Sequence, residues 1–538
     1  MSRGRSAAAL VAVFAFFFLI SNSPLNIYDE GFVLYAAERI ARGEVPYRDF
    51  QLHYMPAQFY VVAALFEAVG HSIFVERMWD AAARTLLVAG GFALARTIMP
   101  VRPAAAAALL VMLRLGAAGF HGFAMLPALA FALLSGTCLL AAFPDARRGL
   151  LIAAGALAGV ATLFRQDIGG FAVLTAVLLL GAWRWLGLGE RPETTPRGTP
   201  SRLLPYALAL AAALLPPTLF FVGRVGPSAL WHELVVYPRS VVIPELTVPA
   251  PGAVPDFRLL FSAPAWRWGH VEREWGPWSD FYVPLAAYLW TAGSLARSLR
   301  REGRAALEGR ESWALVYLTL MGLALFGYAS YRFDPIHAAA TFVPAAILVT
   351  RGLWRSLTSR RLGAASLAAG LAALALGFLW VGVPLSRWAV GTLKFRPPVC
   401  AAPFGRSGCV ELEASQREAL DFVRRRTAPG EPIFVGAWRH HPIPQNDTSF
   451  YFLADRPPAT RFHELLSGAA TPVAIQEEII AALKRPAVRY AVLYAGVADP
   501  RRPEASGEGS GAPLVDAQIR EAFREIARFG PYSILAKR

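Results

Sequence analysis

The sequence predicts an α-helical polytopic membrane protein that ends in a small soluble α/β domain. Of its 538 residues, 55% are hydrophobic and 17% are charged, and the mean hydropathy is +0.41. A soluble chain of this length would carry about a quarter of its residues as charged groups. Several apolar runs of about 18–22 residues are each long enough to cross a bilayer.

The apolar runs predict eleven membrane spans. A further segment, Pro56–Gly70, is short, begins with proline and carries Glu67, which favours a re-entrant or interfacial helix. The count matters because each added crossing exchanges the two sides for every later loop. The predicted spans are Ala7–Ile20, Trp79–Ile98, Pro103–Phe120, Phe123–Phe143, Gly149–Phe164, Ile168–Leu186, Leu203–Val222, Ser279–Ala296, Trp313–Ser330, Ile336–Thr350 and Leu362–Pro384.

The distribution of arginine predicts the orientation. With eleven spans and the N-terminus inside, the dense cluster at residues 297–310 faces the cytoplasm, as the positive-inside rule requires. The net charge of +15 therefore reads as an orientation signal, and we expect no nucleic-acid partner. The chain divides into a membrane domain, residues 1–390, with large outer loops at 21–78 and 223–278, and an external domain, residues 391–538.

The C-terminal region has the pattern of a soluble α/β domain. Pro432–Trp438 and Arg489–Tyr494 read as short buried strands, and Ile475–Leu483 and Val515–Ala527 read as helices. Cys400 and Cys409 lie close in sequence. A disulfide between them would fit an oxidising compartment, and two unpaired thiols are the alternative.

An acidic pair, Asp29-Glu30, follows the first span. Asp29 is placed to cap a helix that runs to Arg42, and capping alone is one explanation for it. Phe32, Val33, Ala36, Ala37 and Ile40 would form the apolar stripe of this helix, with Glu38 and Arg39 on the opposite face. We expect the helix to lie along the membrane surface and to hold the acidic pair against the headgroups.

Two later segments carry a cation beside a carboxylate at the end of a span. One reads Phe164-Arg165-Gln166-Asp167 and the other reads Arg332-Phe333-Asp334-Pro335-Ile336-His337. Ionisable groups at the edge of the hydrocarbon usually pair with one another, bind a ligand or line a wet cavity. Internal ion pairs, Arg165–Asp167 and Arg332–Asp334, are the structural alternative to a ligand site.

These residue types suit sugar transfer from a lipid phosphate. A carboxylate takes the proton of the acceptor, and arginine and histidine bind the departing phosphate. Asp29 is the candidate base, and Glu30 would orient the acceptor or a metal. No tight metal-ligand spacing is present, so no metal or other cofactor is expected to be obligatory, although a divalent metal is possible. The candidate phosphate ligands are Arg165, Arg332, His337, His53 and Arg77, with Gln166, Asp167 and Asp334 in supporting roles.

Residues 7–385 resemble the GT-C superfamily of membrane glycosyltransferases. The resemblance is greatest to the bacterial branch that contains protein O-mannosyltransferases and aminoarabinose transferases. It rests on the acidic pair after the first span, on the segment His53-Tyr54-Met55-Pro56-Ala57-Gln58-Phe59-Tyr60, and on Arg77 opening the second span. Two motifs differ from those of the family. Many bacterial relatives have Lys-Pro-Pro where this sequence has His53-Tyr54-Met55-Pro56, and a Lys-Gly pair common after the fifth span is replaced by Arg165-Gln166-Asp167.

The resemblance implies a function and a location. It implies an inverting transferase that moves a sugar from a polyprenyl phosphate to a glycolipid, polysaccharide or protein outside the cytoplasm, with Asp29 and possibly Glu30 as catalytic base. It places the protein in the bacterial inner membrane with its active site facing the periplasm. The alternatives are a lipid or sugar transporter or flippase of about twelve spans, which would more often show an internal repeat, and a non-catalytic relative of the same fold.

Overall fold

The computed structural model shows a helical membrane domain and a C-terminal domain built on a small sheet. It describes residues 3–117, 119–143, 147–186, 203–248, 250–252, 268–358, 380, 402–403, 405–440, 445–466, 470–496 and 512–538. The helices of the membrane domain are α1 (Arg3–Leu19), α2 (Asp29–Ala41), α3 (Ala57–Val69), α4 (Ile73–Ala95), α5 (Val101–Ala117), α6 (Met125–Ala142), α7 (Arg148–Phe164), α8 (Gln166–Trp185), α9 (Leu203–Val225), α10 (Trp268–Glu302), α11 (Arg310–Tyr331) and α12 (Pro335–Thr358), with short helical turns over residues 227–246 and 303–307.

Ten of the predicted spans coincide with described helices, namely α1 and α4 through α12. Within the described ranges, five helices are both long and apolar enough to cross a bilayer: α6, α8, α9, α11 and α12. The eleventh predicted span, Leu362–Pro384, lies outside the described residues apart from residue 380. The chain is a membrane protein, and the count of eleven spans stays a prediction.

Contacts at the start of α4 show that α3 does not carry the chain to the opposite end of the helix bundle. The guanidinium of Arg77, in the second turn of α4, donates to the carbonyl oxygens of Ser21 and Ser23 at 2.7 and 2.8 Å. These two residues directly follow α1, so α4 begins at the end of the bundle where α1 finishes. The helices between them, α2 and α3, therefore stay at that end, in agreement with the interfacial interpretation of Pro56–Gly70.

The C-terminal domain contains a four-stranded mixed sheet. Its elements are α13 (Ala414–Arg426), β1 (Ile433–Ala437), α14 (Ser449–Ala454), α15 (Val473–Lys484), β2 (Tyr490–Tyr494), α16 (Leu514–Ala522), β3 (Phe523–Phe529) and β4 (Tyr532–Lys537). The strand order is β1-β2-β4-β3, with β1 and β2 parallel and the other pairs antiparallel. The two predicted strands are confirmed.

The predicted helix Val515–Ala527 is wrong in its second part. The helix ends at Ala522, and Phe523–Phe529 pairs with β4 as an edge strand. The hairpin partner lies directly after it, at Tyr532–Lys537, and its backbone hydrogen bonds replace those of another helical turn. Tertiary pairing thus overrides the local helical preference of this short segment.

Protein, rather than the lipid headgroups expected from the sequence, covers α2. All residues from Glu30 to Arg39 are buried, because the C-terminal domain covers the polar face of the helix. Tyr35 donates to the carbonyl oxygen of Arg456 at 3.2 Å, and Arg39 donates to that of Arg461 at 3.2 Å. The helix is therefore enclosed by protein on both faces.

The structure also bears on the cysteines. Cys409 is in a disulfide and Cys138 is free. Cys400, the partner expected from the sequence, lies outside the described residues.

Candidate active site

A cavity of about 340 Å³ lies where the loop that follows α1, three helix junctions and the C-terminal domain meet. The helix junctions are those between α5 and α6, α7 and α8, and α11 and α12. The cavity brings together Asp29, Arg165 and Arg332, as the sequence predicts for three distant segments. Its polar lining consists of Asn26, Tyr28, Asp29, His53, Tyr54, Gln58, Arg165, Tyr331, Arg332, Asp334, His337, Gln445, Asn446, Thr448 and Glu464.

Asp29 opens α2 and points into the cavity, but it does not cap the helix as predicted. Asn26 organises this turn instead, since its Oδ1 accepts from the backbone N–H groups of Tyr28 and Asp29 at 3.0 and 3.1 Å. Its Nδ2 donates to Oδ2 of Asp29 at 2.9 Å. Enclosure by protein raises the pKa of Asp29, although this hydrogen bond and the charge of Arg332 oppose the rise.

Glu30 points away from the cavity and pairs with Arg77. Nε and Nη2 of Arg77 donate to the two carboxylate oxygens of Glu30 at 2.7 and 3.0 Å, and both side chains are buried. Neither residue belongs to the cavity lining. The structure therefore separates the acidic pair, with Asp29 in the cavity and Glu30 in a buried ion pair that ties α2 to α4.

Arg165 occupies the single extended residue between α7 and α8. Its backbone has φ −154° and ψ 114°, which breaks the helix and turns the side chain into the cavity. The guanidinium lies over the rings of Tyr54 and Tyr328, each at 5.1 Å, and its Nε donates to Asp167 at 3.1 Å. Within the described ranges, Nη1 and Nη2 make no hydrogen bond, so an arginine already fixed in position presents two donors to a ligand.

The junction between α11 and α12 holds a second charged group. Oδ1 of Asp334 accepts from the N–H groups of Ile336 and His337 at 3.0 and 2.9 Å and so caps α12. The same carboxylate pairs with Nε of Arg332 and Nδ1 of His337, each at 2.8 Å. Burial raises the pKa of Asp334, but His337 and Arg332 outweigh it and lower the pKa to about 2.

Both predicted ion pairs are thus present, and in each the cation also lines the cavity. Burial and the charge of Arg165 lower the pKa of His53, another lining residue, to about 3, so its ring is neutral at physiological pH. Gln166 does not line the cavity but supports it, because its Oε1 accepts from the N–H of Met55 at 3.2 Å.

The C-terminal domain closes the cavity on the side away from the membrane helices. Thr448 donates through its hydroxyl to the carbonyl oxygens of Ile27 and Tyr28, at 2.9 and 2.8 Å, immediately before Asp29. Glu464 and Asn446 of the same domain line the cavity opposite the membrane helices. Burial and the charge of Asp29 raise the pKa of Glu464 to about 8.

Comparison with known proteins identifies the fold. No family model and no curated protein matches this sequence. Among solved structures, ArnT from Cupriavidus metallidurans bound to undecaprenyl phosphate is 15% identical, with a TM-score of 0.55 over 100% of this chain and 98% of that chain. The same ArnT in the apo state is 16% identical, with a TM-score of 0.53 over the same shares. This chain has the GT-C fold.

A third similar structure is the Archaeoglobus fulgidus oligosaccharyltransferase in its apo form. It is 15% identical, with a TM-score of 0.49 over 90% of this chain and 69% of that chain.

Sequence reasoning missed the part of the site that the C-terminal domain supplies. Asn446 belongs to an Asn-Asp pair, which usually forms a turn. Glu464 carries no local signal, because an isolated acidic residue in a loop is common. Asn26 was missed too, although asparagine side chains often accept hydrogen bonds from backbone N–H groups two residues further on. No cluster of three or more metal-ligand side chains occurs in the part of the chain that the structure describes.

Proposed function

We propose that this protein is an inverting glycosyltransferase that moves a sugar from a polyprenyl phosphate to a hydroxyl-bearing acceptor outside the cytoplasm. The observation that carries the proposal is the composition of the cavity. A carboxyl group without a cationic partner in the described structure, that of Asp29, shares it with Arg165, Arg332 and His337. The GT-C fold and the undecaprenyl phosphate bound by the similar ArnT structure support the choice of donor.

Each residue has one chemical task in this reaction. The carboxylate of Asp29 accepts the proton of the acceptor hydroxyl, whose oxygen attacks the anomeric carbon from the face opposite the phosphate. A new carbon–oxygen bond forms while the bond between the anomeric carbon and the phosphate oxygen breaks. The phosphate keeps the electron pair, and the configuration at the anomeric carbon inverts.

The cations stabilise the leaving group. Nη1 and Nη2 of Arg165 fit two phosphate oxygens as a fork, and its position between two tyrosine rings limits the entropy lost on binding. Arg332 and His337 are held by Asp334 at the opposite junction. Because the two arginines supply positive charge where the phosphate departs, we propose that no divalent metal is obligatory, and EDTA should change the rate less than about twofold.

The experiment is transfer of radiolabelled sugar by purified protein in nanodiscs, with undecaprenyl phosphate carrying mannose, glucose or aminoarabinose supplied in turn and bacterial envelope extract as acceptor. Asp29→Asn and Asp29→Ala should each lower transfer by about 10²–10⁴-fold, the usual contribution of a general base. Glu67→Gln, at an exposed position of α3, is the control. Full activity of both Asp29 variants would remove Asp29 as base, and movement of intact donor across the bilayer without transfer would favour a flippase.

A further inference from the structure

Glu464 places a second carboxyl group in the cavity of Asp29. It belongs to the C-terminal domain, 435 positions along the chain from Asp29, and both side chains line the same space. Among the described residues, the carboxyl of Glu464 has no hydrogen-bond or ion-pair partner. A polar group without a protein partner inside a ligand cavity is a group whose partner is the ligand.

Hydrogen bonds from Asn446 fix the position of Glu464. The Oδ1 of Asn446 accepts from the N–H of Leu465 at 2.9 Å, and its Nδ2 donates to the carbonyl oxygen of His463 at 2.9 Å. One side chain therefore holds the peptide groups on both sides of Glu464. The ring of His463 also stacks on Phe32 of α2, with 5.3 Å between ring centroids and 9° between planes. The geometry is that of a preorganised binding residue rather than a loose loop.

The charges of the cavity favour a state in which one of the two carboxyls is neutral. Arg165 and Arg332 each have a carboxylate of their own, Asp167 and Asp334. Asp29 and Glu464 have no cationic partner in the described ranges. If both were ionised, two negative charges without an ion-pair partner would face an anionic phosphate in the same cavity and would repel it.

Glu464 is the carboxyl better suited to hold the proton. Burial and the charge of Asp29 raise its pKa to about 8, whereas the rise at Asp29 is opposed by Asn26 and Arg332. The other titratable groups that face Glu464 stay neutral across the same range, because burial raises the pKa of both tyrosines and lowers that of both histidines: Tyr54, Tyr237, His53 and His463.

We propose that Glu464 is a substrate-binding residue that works as an uncharged carboxyl. It leaves Asp29 as the base, donates a hydrogen bond to the ligand, and permits the anionic donor to bind. This inference rests on the proposed function, because it assumes a lipid phosphate in the cavity. When Glu464 ionises at alkaline pH, the added negative charge weakens donor binding without any change in fold.

The test is the affinity of the full-length protein in nanodiscs for undecaprenyl phosphate, measured by native mass spectrometry between pH 7 and pH 9.5. The second ionisation of a phosphate monoester, near pH 6, is largely complete in this range, so the probe keeps a nearly constant charge. The wild type should bind about tenfold more weakly at pH 9.5 than at pH 7. In Glu464→Gln, whose side chain has the same shape and no charge, the affinity should change by less than about twofold over this pH range. Glu477→Gln, on an exposed position of α15, should behave as the wild type.

Asp29→Asn provides a second measurement that does not depend on the folding of the Glu464 variant. Removing the charge of Asp29 lowers the pKa of Glu464, so the loss of affinity should move to lower pH. Two results would overturn the inference but not the proposed function. One is an alkaline loss of affinity that is the same in Glu464→Gln and the wild type. The other is a loss of affinity whose midpoint pH does not change in Asp29→Asn. Failure of the wild type to bind undecaprenyl phosphate at pH 7 overturns the proposed donor, and the inference with it.

Discussion

Arg77 and Glu30 form a buried ion pair through two hydrogen bonds, at 2.7 and 3.0 Å, and this pair decides which of two adjacent carboxylates is available for chemistry. Nη1 of Arg77 is also occupied, because it donates to Ser21 and Ser23. The ion pair fixes the start of α2 against α4. Asp29, one position earlier on the same helix, lines the cavity instead.

Removing one partner of this pair should destabilise the protein. Glu30→Gln removes the carboxylate that is hydrogen-bonded to the buried guanidinium of Arg77, and breaking comparable buried pairs costs about 3–5 kcal/mol. We expect a clear fall in the midpoint of thermal unfolding in detergent, together with reduced yield. Asp29→Asn should leave the midpoint near that of the wild type while it abolishes transfer. Equal unfolding midpoints for Glu30→Gln and the wild type would contradict a structural role for Glu30.

Arg165 should matter for its shape as well as its charge. Arg165→Lys keeps a cation but loses the planar fork and its stacking on Tyr54 and Tyr328. We expect undecaprenyl phosphate to bind about tenfold more weakly, as measured by native mass spectrometry. Arg184→Lys, at an exposed position of α8, is the matched control. Unchanged affinity in Arg165→Lys would exclude a bidentate contact.

Gly31 should be required for the C-terminal domain to dock on α2. A Cβ at this position would lie 2.5 Å from the backbone nitrogen of Ser449 and 2.6 Å from Oγ1 of Thr448. Gly31→Ala should therefore displace the domain, lower transfer at least tenfold and speed its release by limited proteolysis. In Gly170→Ala, where the added methyl meets open space, activity and proteolysis should be unchanged. Normal transfer by Gly31→Ala would show that the docked arrangement is not needed.

The fall in activity at acid pH should follow the pKa of Asp29. A base works only when deprotonated, so activity falls as the pH drops through its pKa, which lies above the usual 3.8. Asn26→Ala removes a hydrogen bond that favours the carboxylate, so the fall in activity should move to higher pH. The measurement is kcat/KM against pH for both proteins. A fall in activity that moves to lower pH would argue against Asp29 as the titrating group.

Reporter fusions test the proposed orientation in the membrane. With eleven spans and the N-terminus inside, a fusion at Gly363 should be active only with a cytoplasmic reporter, and one at Gly511 only with an external reporter. Alkaline phosphatase and green fluorescent protein provide the two readouts. A cytoplasmic signal from Gly511 would reject the orientation and place the cavity on the other side of the membrane.

Much of the membrane domain could be predicted because its signals are local. Apolar runs report spans directly, since a bilayer requires about twenty consecutive apolar residues in a helix. Arg165 and Arg332 stood out for the same reason, because charges at the edge of hydrocarbon are costly and rare. The first part of the strand, Phe523–Ala527, is predicted as helix because its partner, β4, acts through tertiary pairing that local periodicity does not contain.

The amino-acid sequence by itself determined that this is a helical membrane protein with charged groups at several span ends and an acidic pair after the first span. Only the tertiary structure decided that Glu30 is paired, that Asp29 faces the cavity, and that Glu464 joins it from a distant domain. Hydrophobicity and helix periodicity act over a few residues and can be read from the chain. The partner of a carboxylate depends on which distant segments pack beside it.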